Sequence, residues 1–154
     1  MSQSAPFNIL HVHHTGITVR DIDQSLAFWR DVLGFRLQYR ARRTGRFAEE
    51  VTGVPEAEIE IAVLLAPGHH IELLQYIAPG DRQHLRPRAC DLGSVHIAFD
   101  VDHLDAALTH IAAHGWTAVG APQTIAGGAR NGTRVVYVRD PDGTTIELMQ
   151  PPAV

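Results

Sequence analysis

The chain has 154 residues, of which 45% are hydrophobic, and this is enough to form the core of one compact domain. A formal charge of −4 gives no electrostatic reason to expect binding to nucleic acid or to a membrane surface, and because all 13 basic residues are arginine, lysine Schiff-base catalysis is excluded. A single cysteine, Cys90, excludes an intramolecular disulfide, and because no stretch is typical of a signal peptide or a membrane span, we expect a cytoplasmic protein.

The first half of the chain predicts one helix among four strands. Alternating side chains predict a first strand at Ile9–Val19. The helix that follows is indicated by an apolar stripe at helical spacing, formed by Leu26, Trp29 and Leu33. We expect Asp23 to cap its N-terminus and Gly34 to end it. Three more strands are predicted, at about Arg36–Arg42, Ile59–Ala66 and His70–Ile77.

The second half follows a segment, residues 78–92, that is rich in Pro, Gly and Arg and that we interpret as a linker. A strand is predicted at Ser94–Val101, and a helix after it by the stripe of Leu104, Leu108 and Ile111. Asp102 or Asp105 is expected to cap this helix, and Gly115 to end it. The sequence Asp140-Pro-Asp-Gly predicts a tight turn. Further strands are predicted at about Thr117–Val119, Arg134–Arg139 and Thr144–Gln150.

The two halves repeat one pattern. In each, a histidine is followed five residues later by a valine and nine residues later by an aspartate, beginning at His14 and at His96. Each half also closes on Ile-Glu-Leu, centred on Glu72 and on Glu147. The repeat predicts an α+β fold in which two tandem βαβββ modules, about 9–77 and about 93–150 within a single domain at 1–154, form a curved mixed sheet around a cleft.

Strand alternation places a histidine and a glutamate of each half on the face that the helix does not cover. Taken singly, each of these residues is commonly an ordinary core or solvated side chain. Two carboxylates in a partly dry cleft cost several kcal/mol each, and a divalent cation would offset that cost. Their recurrence at equivalent positions therefore favours a site for one Ni, Co, Mn, Fe or Zn ion. Its predicted ligands are His14, Glu72, His96 and Glu147.

The remaining polar residues are weaker candidates for the functional site. His70 shares a face with Glu72 and is a candidate for supporting the site, and His84 lies in the linker. The other histidines are expected to be solvated: His11, His13, His69, His103, His110 and His114. Gly127-Gly128 lacks the sequence of a phosphate loop, so we interpret it as a mobile loop over the cleft. Three arginines could recognise an anionic substrate: Arg42, Arg43 and Arg46. Glu49 and Glu50 are two further candidate bases.

These motifs resemble the vicinal oxygen chelate superfamily, which includes glyoxalase I, methylmalonyl-CoA epimerase, extradiol dioxygenases and the bleomycin- and fosfomycin-resistance proteins. The resemblance covers about residues 9–150. It is carried by the sequences His14-Thr-Gly-Ile-Thr-Val-Arg-Asp, Phe28-Trp-Arg-Asp-Val-Leu-Gly-Phe, Ile71-Glu-Leu, Gly93-Ser-Val-His-Ile-Ala-Phe-Asp-Val and Asp140-Pro-Asp-Gly-Thr-Thr-Ile-Glu-Leu.

The resemblance implies one divalent metal ion held by the same four residues, a small-molecule substrate and a homodimer. It favours an isomerase, epimerase or lyase that transfers a proton next to a carbonyl, with Glu147 or Glu72 as the base. Glu72 is informative, because members that use dioxygen or open fosfomycin typically lack a ligand at its position. The alternatives are an Fe(II)-dependent dioxygenase of an aromatic or polyketide-like substrate and a non-catalytic resistance protein that binds a small molecule.

Overall fold

A computed structural model gives the structure of the protein and describes residues 6–153. The chain forms two compact units, Met1–Pro79 and Gly80–Val154. The described residues contain three α-helices and nine strands, and each unit has its own open, mixed sheet. The predicted α+β class with mixed sheets is therefore confirmed.

The sheet of the first unit has the strand order β1-β4-β3-β2. β1 is parallel to β4, and the other neighbours are antiparallel. A π-helical stretch, Ala27–Val32, continues the first helix. The elements are β1 (Thr15–Thr18), α1 (Ile22–Leu26), β2 (Arg36–Arg43), α2 (Gly45–Thr52), β3 (Glu58–Ala66) and β4 (His69–Ala78).

The first helix begins earlier than predicted. The Asp21 carboxylate accepts the backbone N–H groups of Asp23 and Gln24, both at 2.9 Å, so Asp21 and not Asp23 is the N-cap. This start brings Ile22 into the core, where it is buried together with the predicted Leu26 and Trp29. The helix ends before Gly34, whose φ of 74° is the left-handed conformation expected after a helix C-terminus.

Strand β3 is buried on both faces. Ile59, Ile61 and Val63 form a core cluster with Ala48 of α2. Ala62 and Leu64 point the opposite way by strand alternation and are fully buried on the side where α1 packs. Helix α2 was not predicted, because its short sequence is mostly polar and begins with glycine. It covers part of the sheet face that carries Glu72.

The sheet of the second unit has the order β5-β9-β8-β6, and β7 also pairs with β8. β5 is parallel to β9, and the remaining pairs are antiparallel. No α-helix lies between β6 and β8 in this described part of the chain, so α2 has no counterpart. The elements are β5 (Ile97–Asp100), α3 (Leu104–Ala112), β6 (Thr117–Ala118), β7 (Gln123–Thr124), β8 (Arg134–Arg139) and β9 (Thr145–Gln150).

The predicted cap of α3 is also wrong. His103 is the N-cap, and its Nδ1 accepts the backbone N–H of Ala106 at 3.3 Å. Asp105 already lies inside the helix, where it binds Arg134 at 2.8 Å. The predicted turn between β8 and β9 is present, and there the Asp140 carboxylate accepts the N–H of Thr144 at 2.7 Å.

The first strand of each unit is shorter than predicted, since only Thr15–Thr18 and Ile97–Asp100 are paired. Residues 8–14 precede the pairing with β4 and belong to no strand. Part of the predicted linker packs on the second unit, where Arg139 donates to the Pro87 carbonyl at 2.7 Å. Within residues 6–153, no helix is both long and apolar enough to cross a membrane.

Candidate metal centre

In the first unit, His14 and Glu72 are brought together by the parallel pairing of β1 with β4. Gly16 is the direct strand partner of Glu72, and His14 lies just before β1, two residues earlier. The His14 Nε2 atom is 3.2 Å from the Glu72 Oε2 atom. The Glu72 side chain is largely buried, at 19% exposure, whereas the imidazole is more accessible.

The second unit repeats this arrangement with His96 and Glu147. Ala98, two residues after His96, is the direct strand partner of Glu147. The His96 Nε2 atom is 3.3 Å from the Glu147 Oε2 atom, and the Glu147 side chain is 15% exposed. The two pairs therefore have the same register, nearly the same spacing and similar burial.

The spacing within each pair fits two neighbouring ligands of a divalent ion. Nitrogen and oxygen ligands each bind at about 2.1 Å, which puts neighbouring ligands about 3.0 Å apart at a right angle and about 3.4 Å apart in a tetrahedron. The observed 3.2 and 3.3 Å lie between these values. Within residues 6–153 no group of three or more His, Cys, Asp or Glu is arranged to hold a metal ion. Each unit thus brings together one histidine and one glutamate.

Tyr137 is a neighbour of the second pair that the sequence reasoning missed. It is the strand partner of Glu147 on β8, and its ring centroid lies 4.7 Å from that of His96. The phenol oxygen is 3.5 Å from His96 Nε2. In the first unit, buried Val63 stands opposite Glu72. Direct strand partners share a face of the sheet, and this relation to Glu147 could have identified Tyr137.

His13 is exposed, as expected, but it also contacts His14. The two Nδ1 atoms are 2.7 Å apart, and the His13 ring stacks on that of His70 with centroids 6.2 Å apart. Strand alternation does not apply here, because both residues precede β1. His69 also has a partner, since its Nε2 lies 2.9 Å from the hydroxyl of Thr15.

The candidate substrate-binding arginines and candidate bases on β2 and α2 form ion pairs or hydrogen bonds with nearby residues. Arg42 pairs with Glu58, and Arg46 pairs with Glu50 at 2.7 Å. Glu49 accepts the backbone N–H of Glu56 at 3.1 Å. These contacts all lie within the first unit.

The chain matches the profile of the Glyoxalase/Bleomycin resistance protein/Dioxygenase superfamily over residues 11–148. It belongs to this superfamily. The chain is 36% identical to a 2-epi-5-epi-valiolone epimerase from Actinomyces sp., over 92% of this chain and 80% of the relative. It is 27% identical to the lactoylglutathione lyase of Haemophilus influenzae, over 92% and 93% of the two chains. The crystal structure of a glyoxalase family protein from Bacillus cereus superposes with a TM-score of 0.82 and 25% identity, covering 97% of this chain and 99% of that one.

Membership confirms the superfamily that the repeated motifs predicted. Its members typically bind a divalent metal ion. The names of the relatives indicate an enzyme of the lyase or isomerase kind. The ligand set and the identity of the metal stay predictions.

Proposed function

We propose that the protein is a metal-dependent epimerase or isomerase that transfers a proton at a carbon next to a carbonyl. The observation that carries the proposal is the recurrence of one His–Glu pair at the same strand register in both units. A histidinium–glutamate ion pair would have a similar spacing, but ion pairing alone gives no reason for the repeat. Similarity to an epimerase supports the same reaction class.

The residues proposed to hold the ion are His14, Glu72, His96 and Glu147. Two imidazoles and two carboxylates suit Ni, Co, Mn, Fe or Zn and, on a six-coordinate ion, leave two positions for oxygens of the substrate. When bound, the metal would polarise the substrate carbonyl and make the adjacent C–H more acidic.

The two glutamates are proposed to move the proton. One carboxylate takes the proton from carbon while the electron pair of the C–H bond stays in the substrate. The other carboxyl group returns a proton to the opposite face of that carbon, which inverts its configuration. No oxidant is consumed, so atoms and electrons balance within the substrate and the two side chains. The low exposure of both carboxylates shields this transfer from bulk water.

Proton exchange in D₂O tests this function. The first candidate substrate is 2-epi-5-epi-valiolone, since a relative is named for its epimerisation. We expect metal-loaded protein under argon to form the epimer with deuterium at the inverted carbon, detected by NMR. Glu147→Gln should lower this rate by roughly 10²-fold, the usual scale for loss of a general base. A strict requirement for dioxygen would contradict the proposal and favour the dioxygenase alternative.

A further inference from the structure

A cavity of about 430 Å³ opens on the sheet of the second unit. It is bounded by β5, by β9 with the residues that follow it, and by the loop between β7 and β8 that contains Gly127-Gly128. The Asn131 side chain accepts the Gly127 N–H at 2.6 Å and so braces this loop. The lining residues that matter here are Ala98, Asp100, Arg130, Asn131, Thr133 and Met149.

The cavity begins next to the His96–Glu147 pair. Ala98 lines the cavity and is the strand partner of Glu147. Met149 also lines it and follows Glu147 by two residues on β9, about 7 Å further along the same face. A small ring whose reacting carbon lies at Glu147 would therefore extend its far side into this cavity.

Asp100 and Arg130 give the cavity one acidic and one basic side chain. Neither forms an ion pair in the described part of the chain, and the guanidinium of Arg130 instead contacts the Met149 sulfur at 3.6 Å. A carboxylate only accepts hydrogen bonds, and a guanidinium only donates them. The amide nitrogen of Asn131 adds a second donor.

This pairing gives a singly charged ligand no net Coulomb attraction. A carboxylate or phosphate in the cavity would be attracted by Arg130 but repelled by Asp100, and for an amine the two effects are reversed. A hydroxyl group suits both, because it donates to Asp100 and accepts from Arg130 or Asn131. Adjacent hydroxyls on one ring can make these bonds together.

The first unit lacks the acidic side chain of this cavity at the equivalent position. Thr18 follows His14 by four residues, as Asp100 follows His96, and α2 packs on the corresponding sheet face through Ala48. The acidic group at this position is therefore a feature of the second unit.

We propose that Asp100, Arg130 and Asn131 form a subsite for the hydroxyl groups of a neutral, polyhydroxylated ring ketone. The inference rests on the proposed function, since it names the substrate class of that same site. The proposed substrate is neutral, whereas Arg42, Arg43 and Arg46 were considered for recognition of an anionic one.

The test compares two ring compounds by protein NMR on the full chain. The neutral probe is 2-keto-myo-inositol, and the anionic probe is quinate. We expect the neutral ketone to bind and to shift the backbone amide signals of Ala98 and Asn131. Asp100→Asn and Arg130→Gln should each weaken this binding about tenfold or more, as expected for loss of a hydrogen bond to a charged group. The charge-matched controls Asp81→Asn and Arg82→Gln, exposed in the same unit and outside the cavity, should leave it unchanged.

Three outcomes would overturn the subsite: preference for quinate, unchanged affinity in both cavity variants, or no shift at the cavity with either probe. The probe comparison uses wild-type protein, so it stands even if a variant fails to fold. Exchange of the α-protons of the ketone with D₂O, followed in the metal-loaded samples, separates the two proposals. Binding without exchange would count against the reaction alone, whereas exchange that both cavity variants leave unaltered would count against the subsite alone.

Discussion

Glu72 lies 3.2 Å from the His14 Nε2 atom, and its side chain is only 19% exposed. Replacing it with glutamine keeps an oxygen that can bind a metal but removes the negative charge and the base. We expect Glu72→Gln to retain much of its metal, measured by elemental analysis, and to lose roughly 10²-fold or more in turnover.

Glu60→Gln is the matched control for this substitution. Glu60 is also a strand glutamate of the first unit, but it binds Arg40 at 3.2 Å, away from the His14–Glu72 pair. The turnover of Glu60→Gln should equal that of the wild type. Full activity in Glu72→Gln would remove Glu72 from the proton transfer.

Both His–Glu pairs could be predicted at the residue scale, because the repeat fixes which positions are equivalent and strand alternation fixes the face of the two glutamates, which lie within β4 and β9. His13 could not be placed, since it lies before the first paired residue and alternation gives no guidance there. Tyr137 was not predicted because it has no equivalent in the first half, where Val63 occupies the corresponding position. The cavity residues Arg130 and Asn131 lie on a loop, whose path no periodicity predicts.

The turn between β8 and β9 gives a prediction at the scale of an element. Burial raises the pKa of Asp140, and hydrogen bonds from Thr144 only partly oppose this effect. A raised pKa means that the folded state binds the proton more tightly. Stability from this group is thus fully present below the unfolded pKa of 3.8 and is lost as pH rises through the folded pKa.

We therefore expect Asp140→Asn, which is neutral and still accepts the Thr144 N–H, to unfold at higher denaturant concentration than the wild type at pH 7. The difference should vanish near pH 3. Asp140→Ala loses the acceptor and should cost about 1 kcal/mol. A stability gain in Asp140→Asn that is equally large at both pH values would contradict the assigned cause.

Element boundaries followed from the sequence less well than element types. Asp21, Asp23, Asp102 and Asp105 are all plausible caps by residue type, and which carboxylate reaches the free N–H groups depends on where the buried stripe begins. Helix α2 is stabilised by packing of Ala48 against β3, a tertiary contact that its own polar sequence does not reveal. The turn at Asp140 was predictable because its Pro, Asp and Gly act locally.

At the scale of the whole molecule, exposed apolar side chains predict self-association. Val12 and Val95, which precede the edge strands β1 and β5, are 76% and 81% exposed. Unpaired strand edges beside apolar side chains favour pairing with a second copy. Light scattering at micromolar concentration should give a mass twice that of the chain. The double variant Val12→Glu, Val95→Glu should lower the measured mass toward that of one chain. Val51→Glu, on exposed α2, is the control, and a monomeric wild type would contradict the dimer.

We propose that the two His–Glu pairs share one metal ion, and metal stoichiometry tests this central claim most directly. Purified protein should hold about one divalent ion per set of two histidines and two glutamates. Because both pairs are needed, His14→Ala and His96→Ala should each lose most of that metal, while His110→Ala, on the exposed surface of α3, should keep it. Unchanged metal content in both site variants, or two ions per chain with half lost in each, would contradict the claim.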